Sequence, residues 1–300
     1  MPGKLPYKTY SSFLEERFPW KMQKISVNIG LSCPNRDGTI GKGGCIYCSN
    51  HAFVPEYCLS NNSIINQIIL GKKFFGVKYP DMRYLAYFQA YTSTNSSDIN
   101  KLINVFEQTM AIEDIEGIII STRPDCIDTL FIQKLKVLAD ASNKRIMFEI
   151  GVESADDSTL KIINRGHSWN QTVEAINLIA ENNFDVGAHL IMGLPGEDRN
   201  TMLRTVEETC SLPITSIKLH QLQIIKDTVL HKKWIEKEIE LKLFTLDDYL
   251  KLCCDIVTIV PPHIAIERFT ASSPANMLIA PKWGIKNYQF VNKLNNLLYY

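Results

Sequence analysis

Three cysteines, Cys33, Cys45 and Cys48, stand within 16 residues at the spacing Cys-x11-Cys-x2-Cys, with Gly38, Gly41, Gly43 and Gly44 in the long interval. Thiols gathered this densely are metal ligands in a reducing compartment. The glycines supply the backbone freedom a loop needs to fold three of them around one centre. Two completions stay open. With His51 as fourth ligand the set is a closed Cys3His structural zinc site. Without it, three thiolates leave one iron of a 4Fe-4S cluster free to bind a substrate or cofactor. The other cysteines, at 58, 126, 210, 253 and 254, show no comparable spacing. Cys210, Cys253 and Cys254 fall on predicted helices as buried apolar residues, whereas Cys126, after Thr122-Arg123-Pro124-Asp125, is placed to face the site as a hydrogen-atom donor.

The loop follows a predicted strand at 25–30, and further apolar, β-branched runs fall at 84–89, 116–121, 146–152, 185–192 and 215–224. Several read as apolar on both faces, as buried parallel strands do. Helical spacing fills the intervals at 62–73, 98–112, 128–142, 170–183, 199–211 and 245–259; Ile99, Leu102, Ile103, Phe106 and Met110 share one face, with Asp98 as cap. This alternation predicts an α/β fold with a parallel sheet. Six units predict a partial (β/α)6 barrel, with a doubly wound open sheet as the alternative. Both bind ligands at the C-terminal ends of their strands, where the cysteine loop lies. Residues 1–24 and 263–300 read as extensions on a core of 25–262, with Pro261-Pro262 at the second boundary.

Composition narrows the function classes. With 45% apolar and 21% charged residues the 300-residue chain is a folded globular protein rather than a disordered one. Equal numbers of basic and acidic residues, 32 of each, argue against capture of nucleic acid by the whole surface. The ends are nevertheless basic: five cationic against two anionic side chains in 1–24, and four against one in 263–300. Together with Tyr7, Tyr10, Trp20 and Trp283 they could form a patch for RNA phosphates and bases. No apolar run is long enough to cross a membrane or to serve as a signal peptide, so a cytoplasmic protein without a membrane partner is expected.

The segments CPNRDGTIGKGGCIYC, YFQAYTSTNS, EIGVESADDSTLKIINRGHS, HLIMGLPGE, KLHQLQIIKDT and LIAPKW resemble the YhcC/YtqA family of the radical S-adenosylmethionine (SAM) superfamily, over nearly the whole chain. That family is related to the Elongator catalytic subunit and to oxygen-independent coproporphyrinogen dehydrogenase. The resemblance implies a 4Fe-4S cluster on Cys33, Cys45 and Cys48, SAM as cofactor, and an electron donor such as flavodoxin or ferredoxin. It implies further that Glu153 meets the SAM ribose, Arg165 its carboxylate, and Tyr47 and Ile191 its adenine, with Tyr47 alternatively a shield of the cluster and His189 either a second ribose contact or a satisfied core histidine. A Glu153–Arg165 ion pair bracing the loop is the structural alternative. Thr92 and Ser93 are placed to accept from the SAM amino group, although the Gly-Gly-Glu-like element common at that place is missing. Lys282 and Trp283 are placed by the same resemblance to reach the site.

The relationship to Elongator implies tRNA as substrate, specifically conversion of a carboxymethylaminomethyl to an aminomethyl group at C5 of the wobble uridine. Two rivals stand beside it: a radical SAM enzyme of small metabolites, and a zinc-stabilised, non-catalytic RNA-binding protein.

Overall fold

Strands that must be covered on both sides pair in parallel and curl. The computed structural model describes residues 5–49, 52, 54–58, 62–76 and 81–299. The chain opens with β1 (Lys8–Thr9), α1 (Tyr10–Glu15), β2 (Met22–Val27), α2 (Pro34–Asp37), α3 (Ile64–Gly76), β3 (Arg83–Phe88), α4 (Ile99–Met110) and β4 (Ile115–Thr122). Next come α5 (Thr129–Ser142), β5 (Arg145–Glu153), α6 (Asp157–Ile162), α7 (Trp169–Glu181), β6 (Asp185–Met192), α8 (Arg199–Cys210) and β7 (Ser216–Gln221). It closes with β8 (Ile224–Ile225), α9 (Val229–Ile235), α10 (Leu246–Ile259), β9 (Ala265–Arg268), β10 (Leu278–Ala280) and α11 (Asn287–Leu298).

Eight strands form one parallel sheet in the order β1-β9-β7-β6-β5-β4-β3-β2. The six predicted strands are all present. Two more complete the sheet, because β1 and β9 are only two and four residues long and too short to show a period. The sheet thus continues past residue 263, while β8 and β10 form a separate antiparallel ribbon. Curvature is shown by one contact: Lys24 Nζ on β2 lies 2.7 Å from Glu267 Oε2 on β9, six places away in strand order. A flat sheet would hold those strands about 29 Å apart at ~4.8 Å per step. The architecture is a half-barrel, the partial-barrel form expected.

Strand alternation sorts the side chains. Tyr84, Ala86 and Phe88, Ile118 and Ile120, and Phe148 and Ile150 point outward into the main core beneath α4, α5 and α7. Phe88 meets Phe106 of α4 edge-on with ring centroids 4.9 Å apart. Asp98 caps α4 by accepting from Lys101 N, as expected. The inner face is layered along the strands. Leu85, Tyr87, Ile119, Met147 and Ala265 surround Phe13 of α1, which plugs the N-terminal end. Above them Lys24, Tyr87, Glu149, Lys218 and Glu267 form a charged layer. The strand ends above that layer line the cavity described next. Among the described residues no helix is long and apolar enough to cross a membrane.

Candidate cofactor site

The cysteine loop is laid across the open end of the half-barrel and tied down on two sides. Asn35 Nδ2 donates to the Asn164 carbonyl (2.5 Å) and Asn164 Nδ2 to that of Gly44 (2.8 Å). Ile46 N donates to Ile163 O, and Leu230 N at the start of α9 to Ile46 O. Gly44 is required: its φ is +80° and a Cβ there would stand 2.8 Å from Arg36 Nε. Arg36 itself donates to the Cys48 carbonyl (3.1 Å).

Cys33, Cys45 and Cys48 all line one cavity of about 220 Å³. Asn35 Nδ2 and Arg165 Nη1 approach Cys45 Sγ at 3.8 and 3.6 Å, contacts that favour a charged sulfur. Burial, with Cys45 close by, pushes the Cys48 thiol up to about 11, so that a cation must displace its proton. Among the described residues no three His, Cys, Asp or Glu side chains converge as a site for a single metal ion. His51, the fourth ligand of the zinc reading, lies outside the described residues.

Tyr47, Thr92, Glu153, Arg165, His189 and Ile191 line the same cavity. Glu153, the last residue of β5, has φ +67°, a strained conformation for a non-glycine residue. Its Oε1 lies 3.3 Å from Arg165 Nη2 and its Oε2 3.4 Å from His189 Nδ1. The ion pair is therefore formed, at the cavity wall. Arg165 is engaged further, donating to Gly151 O (2.6 Å) and His167 Nε2 (2.9 Å). Burial, opposed by Glu153, brings His189 down to about 4, which leaves a neutral ring whose Nε2 is unused. That nitrogen, Thr92 Oγ1 and Arg123 Nη1 are buried without hydrogen-bond partners. Unpartnered polar atoms around a cavity with an apolar wall at Ile191 suit a ligand carrying charged, hydroxyl and aromatic parts.

Other expectations are corrected. Ser93 donates its hydroxyl to Phe88 O (2.9 Å) and does not line the cavity, because the turn after β3 directs it back to the strand. Cys126 lines a separate cleft with Pro34, Ile40 and Thr94. Tyr7 packs edge-on against Phe269 and Trp283 stacks on Phe290, so both rings are tied into the fold. Trp20 is exposed. At the N-terminal end three of the basic residues are paired, Lys8 with Glu16, Arg17 with Asp185 and Lys24 with Glu267. Lys282 and Trp283 line a second cavity, which shares Gln221, Gln223 and Ala271 with the first.

Sequence reasoning missed the floor. Tyr87 donates to Glu149 Oε1 (2.5 Å), as does Lys218 (2.7 Å). Burial alone would raise Glu149, but the Lys218 and Lys24 ammoniums outweigh it and hold the carboxyl at about 2. The signal was available: charged residues and a histidine at alternate positions of apolar strands, Glu149 and Glu153 on β5 and Lys218 and His220 on β7, mark an inward face.

Comparison with known proteins follows this geometry. Residues 27–209 match the model of the Radical SAM superfamily, and residues 214–300 that of the Radical_SAM C-terminal domain. The chain is 33% identical to the uncharacterized protein YtqA of Bacillus subtilis, over 97% of this chain and 89% of that one. It is 30% identical to a tRNA uridine(34) acetyltransferase of Dehalococcoides mccartyi over 55% of this chain and 35% of that protein. The fold is similar to that of the archaeal Elp3 of Methanocaldococcus infernus, with a TM-score of 0.63 at 17% identity, covering 91% of this chain and 63% of the other.

Proposed function

We propose, from the premise that this chain belongs to the radical SAM superfamily and within it to the YhcC/YtqA family, that it is a radical SAM enzyme acting on the side chain of a tRNA wobble uridine. The observation that carries the catalytic part is one cavity lined at once by three thiols and by the unpartnered polar atoms of Thr92, Arg123 and His189. Cys33, Cys45 and Cys48 would hold the 4Fe-4S cluster, which with SAM supplies reductive cleavage of a sulfonium bond and hydrogen-atom abstraction from a substrate. Thr92 would accept from the SAM amino group, Arg165 with the free edge of Arg123 would face its carboxylate, and Glu153 with His189 would meet its ribose. Ile191 and Tyr47 would enclose the adenine and exclude water.

The tRNA part is supported by the similarity to a tRNA uridine(34) acetyltransferase. The modification proposed is conversion of carboxymethylaminomethyl to aminomethyl at C5. The test is SAM cleavage by the reconstituted protein with and without tRNA from a strain lacking the gene, with nucleoside analysis of that tRNA. Accumulation of the carboxymethylaminomethyl nucleoside and tRNA-stimulated cleavage are expected. Cleavage indifferent to tRNA, with an unchanged nucleoside profile, would select the small-metabolite reading. Stoichiometric zinc, with SAM left intact, would select the RNA-binding one.

A further inference from the structure

The cavity's cations are unevenly balanced. Arg123 pairs with Asp125 (2.8 Å), Arg165 with Glu153 (3.3 Å) and Lys218 with Glu149 (2.7 Å). Two cations of the cavity, Arg36 in the cysteine loop and Arg268 at the end of β9, have no carboxylate within ion-pair distance among the described residues, and Arg36 is seated on the Cys48 carbonyl. One of the terminal nitrogens of Arg268 contacts His220 Nε2 on the neighbouring β7. Burial and the adjacent His189 ring keep His220 well below its ordinary value, so it is a neutral acceptor and no counter-charge. Arg268 Nε is out of solvent contact and has no hydrogen-bond partner. A half-buried guanidinium with one terminal nitrogen seated on His220 and its Nε–H unused keeps donors for an oxyanion.

Arg268 borders the SAM contacts proposed above through His220, whose ring meets that of His189 edge-on with centroids 4.1 Å apart, and it approaches the cavity from a different strand. Those contacts stand on the cysteine loop, on the segments after β3 and β4, and on β5, β6 and Arg165. Arg268 stands on β9, three residues before Ala271, which with Gln221 and Gln223 lines both the first cavity and the second. The second cavity, about 810 Å³, is large enough for a nucleotide-sized group and carries Lys282 and Lys286 on its wall.

We propose that Arg268, oriented by His220, is the substrate anchor of this site and binds an oxyanion, a carboxylate or a phosphate. The choice of carboxylate rests on the tRNA reading, in which the anion is the carboxymethyl carboxylate of the wobble uridine. The test uses the reconstituted full-length protein and anticodon stem-loops bearing either the carboxymethylaminomethyl or the aminomethyl group, with binding read by fluorescence anisotropy. Wild type is expected to prefer the carboxylated RNA by about tenfold to a hundredfold, the range for hydrogen bonds to a charged group. Arg268→Gln should erase that preference, and Arg268→Lys should keep part of it, as a point charge without the fork.

If Arg268→Gln weakens both RNAs equally and lowers the salt slope by about one, the anion is a backbone phosphate and the anchor stands. Unaltered binding of both RNAs by a folded variant overturns the proposal. If neither RNA binds wild type, the tRNA reading fails, and thermal shifts with acetate and with inorganic phosphate decide the anchor by themselves. A shift in wild type that is lost in Arg268→Gln and partly kept in Arg268→Lys upholds it; equal shifts in all three, or no shift in wild type, overturn it.

Discussion

Replacing Glu197 by Gln should stabilise the protein in alkaline solution and leave it unchanged in acid. Glu197 lies in the turn after β6, where its Oε1 accepts from Ser154 Oγ at 2.6 Å. Its Oε2 is out of solvent contact and has no partner. Burial is the main reason its carboxyl is raised from 4.5 to about 7. Between those values the folded chain holds a proton that the unfolded chain has released. The stability this supplies is complete below about pH 4.5 and is lost as pH rises through about 7, a total of about 3 kcal/mol at ~1.36 kcal/mol per tenfold. Gln keeps the shape and cannot ionise. Equilibrium urea titrations of both proteins at about pH 5 and about pH 8.5 should show agreement within about 1 kcal/mol in acid and an advantage of about 2–3 kcal/mol for the variant in base. The same gap at both pH values would refute the reasoning, since it would mean that the buried carboxyl titrates normally.

Alanine at Cys33, Cys45 or Cys48 should each abolish the broad visible absorption of a reconstituted iron–sulfur cluster, whereas Cys253→Ala, in the core beneath α10, should leave it intact. Lys218→Met should cost about 3–5 kcal/mol in urea titrations by stranding Glu149 in the interior, and Glu149→Gln in the same chain should restore part of it. Strictly additive losses in that pair would argue against a coupled layer. Arg165→Ala should retain cluster absorption and lose SAM cleavage; full cleavage would leave Arg165 only its role as a brace for Glu153.

The six predicted strands and their helices were legible because each outer face repeats apolar residues with the period of its element. Ile118 and Ile120 on β4 and Leu102 and Phe106 on α4 are examples. The cysteine loop was legible from spacing alone, and Glu153, Arg165, His189 and Ile191 from segment resemblance; the structure brings all of them to one cavity. What stayed hidden was set by tertiary placement. Asn35 and Asn164 have no sequence signature, yet their amides hold the loop in place over 129 residues of chain. Arg268 lies in a four-residue strand whose inward neighbours come from segments far away in sequence. Ser93 shows the opposite error: its residue type suited a ligand, but the turn geometry turned it toward Phe88.

The contact between Lys24 and Glu267 has a mechanical consequence. A closed barrel is hooped by backbone hydrogen bonds, and widening it means breaking a strand pair. Here the seam is stitched at the level of the charged floor by side chains and, at the mouth, by the cysteine loop, whose Ile46 carbonyl accepts from Leu230 N of α9. Parting the two edges of the sheet therefore means breaking an ion pair and a loop hydrogen bond, and no strand pairing.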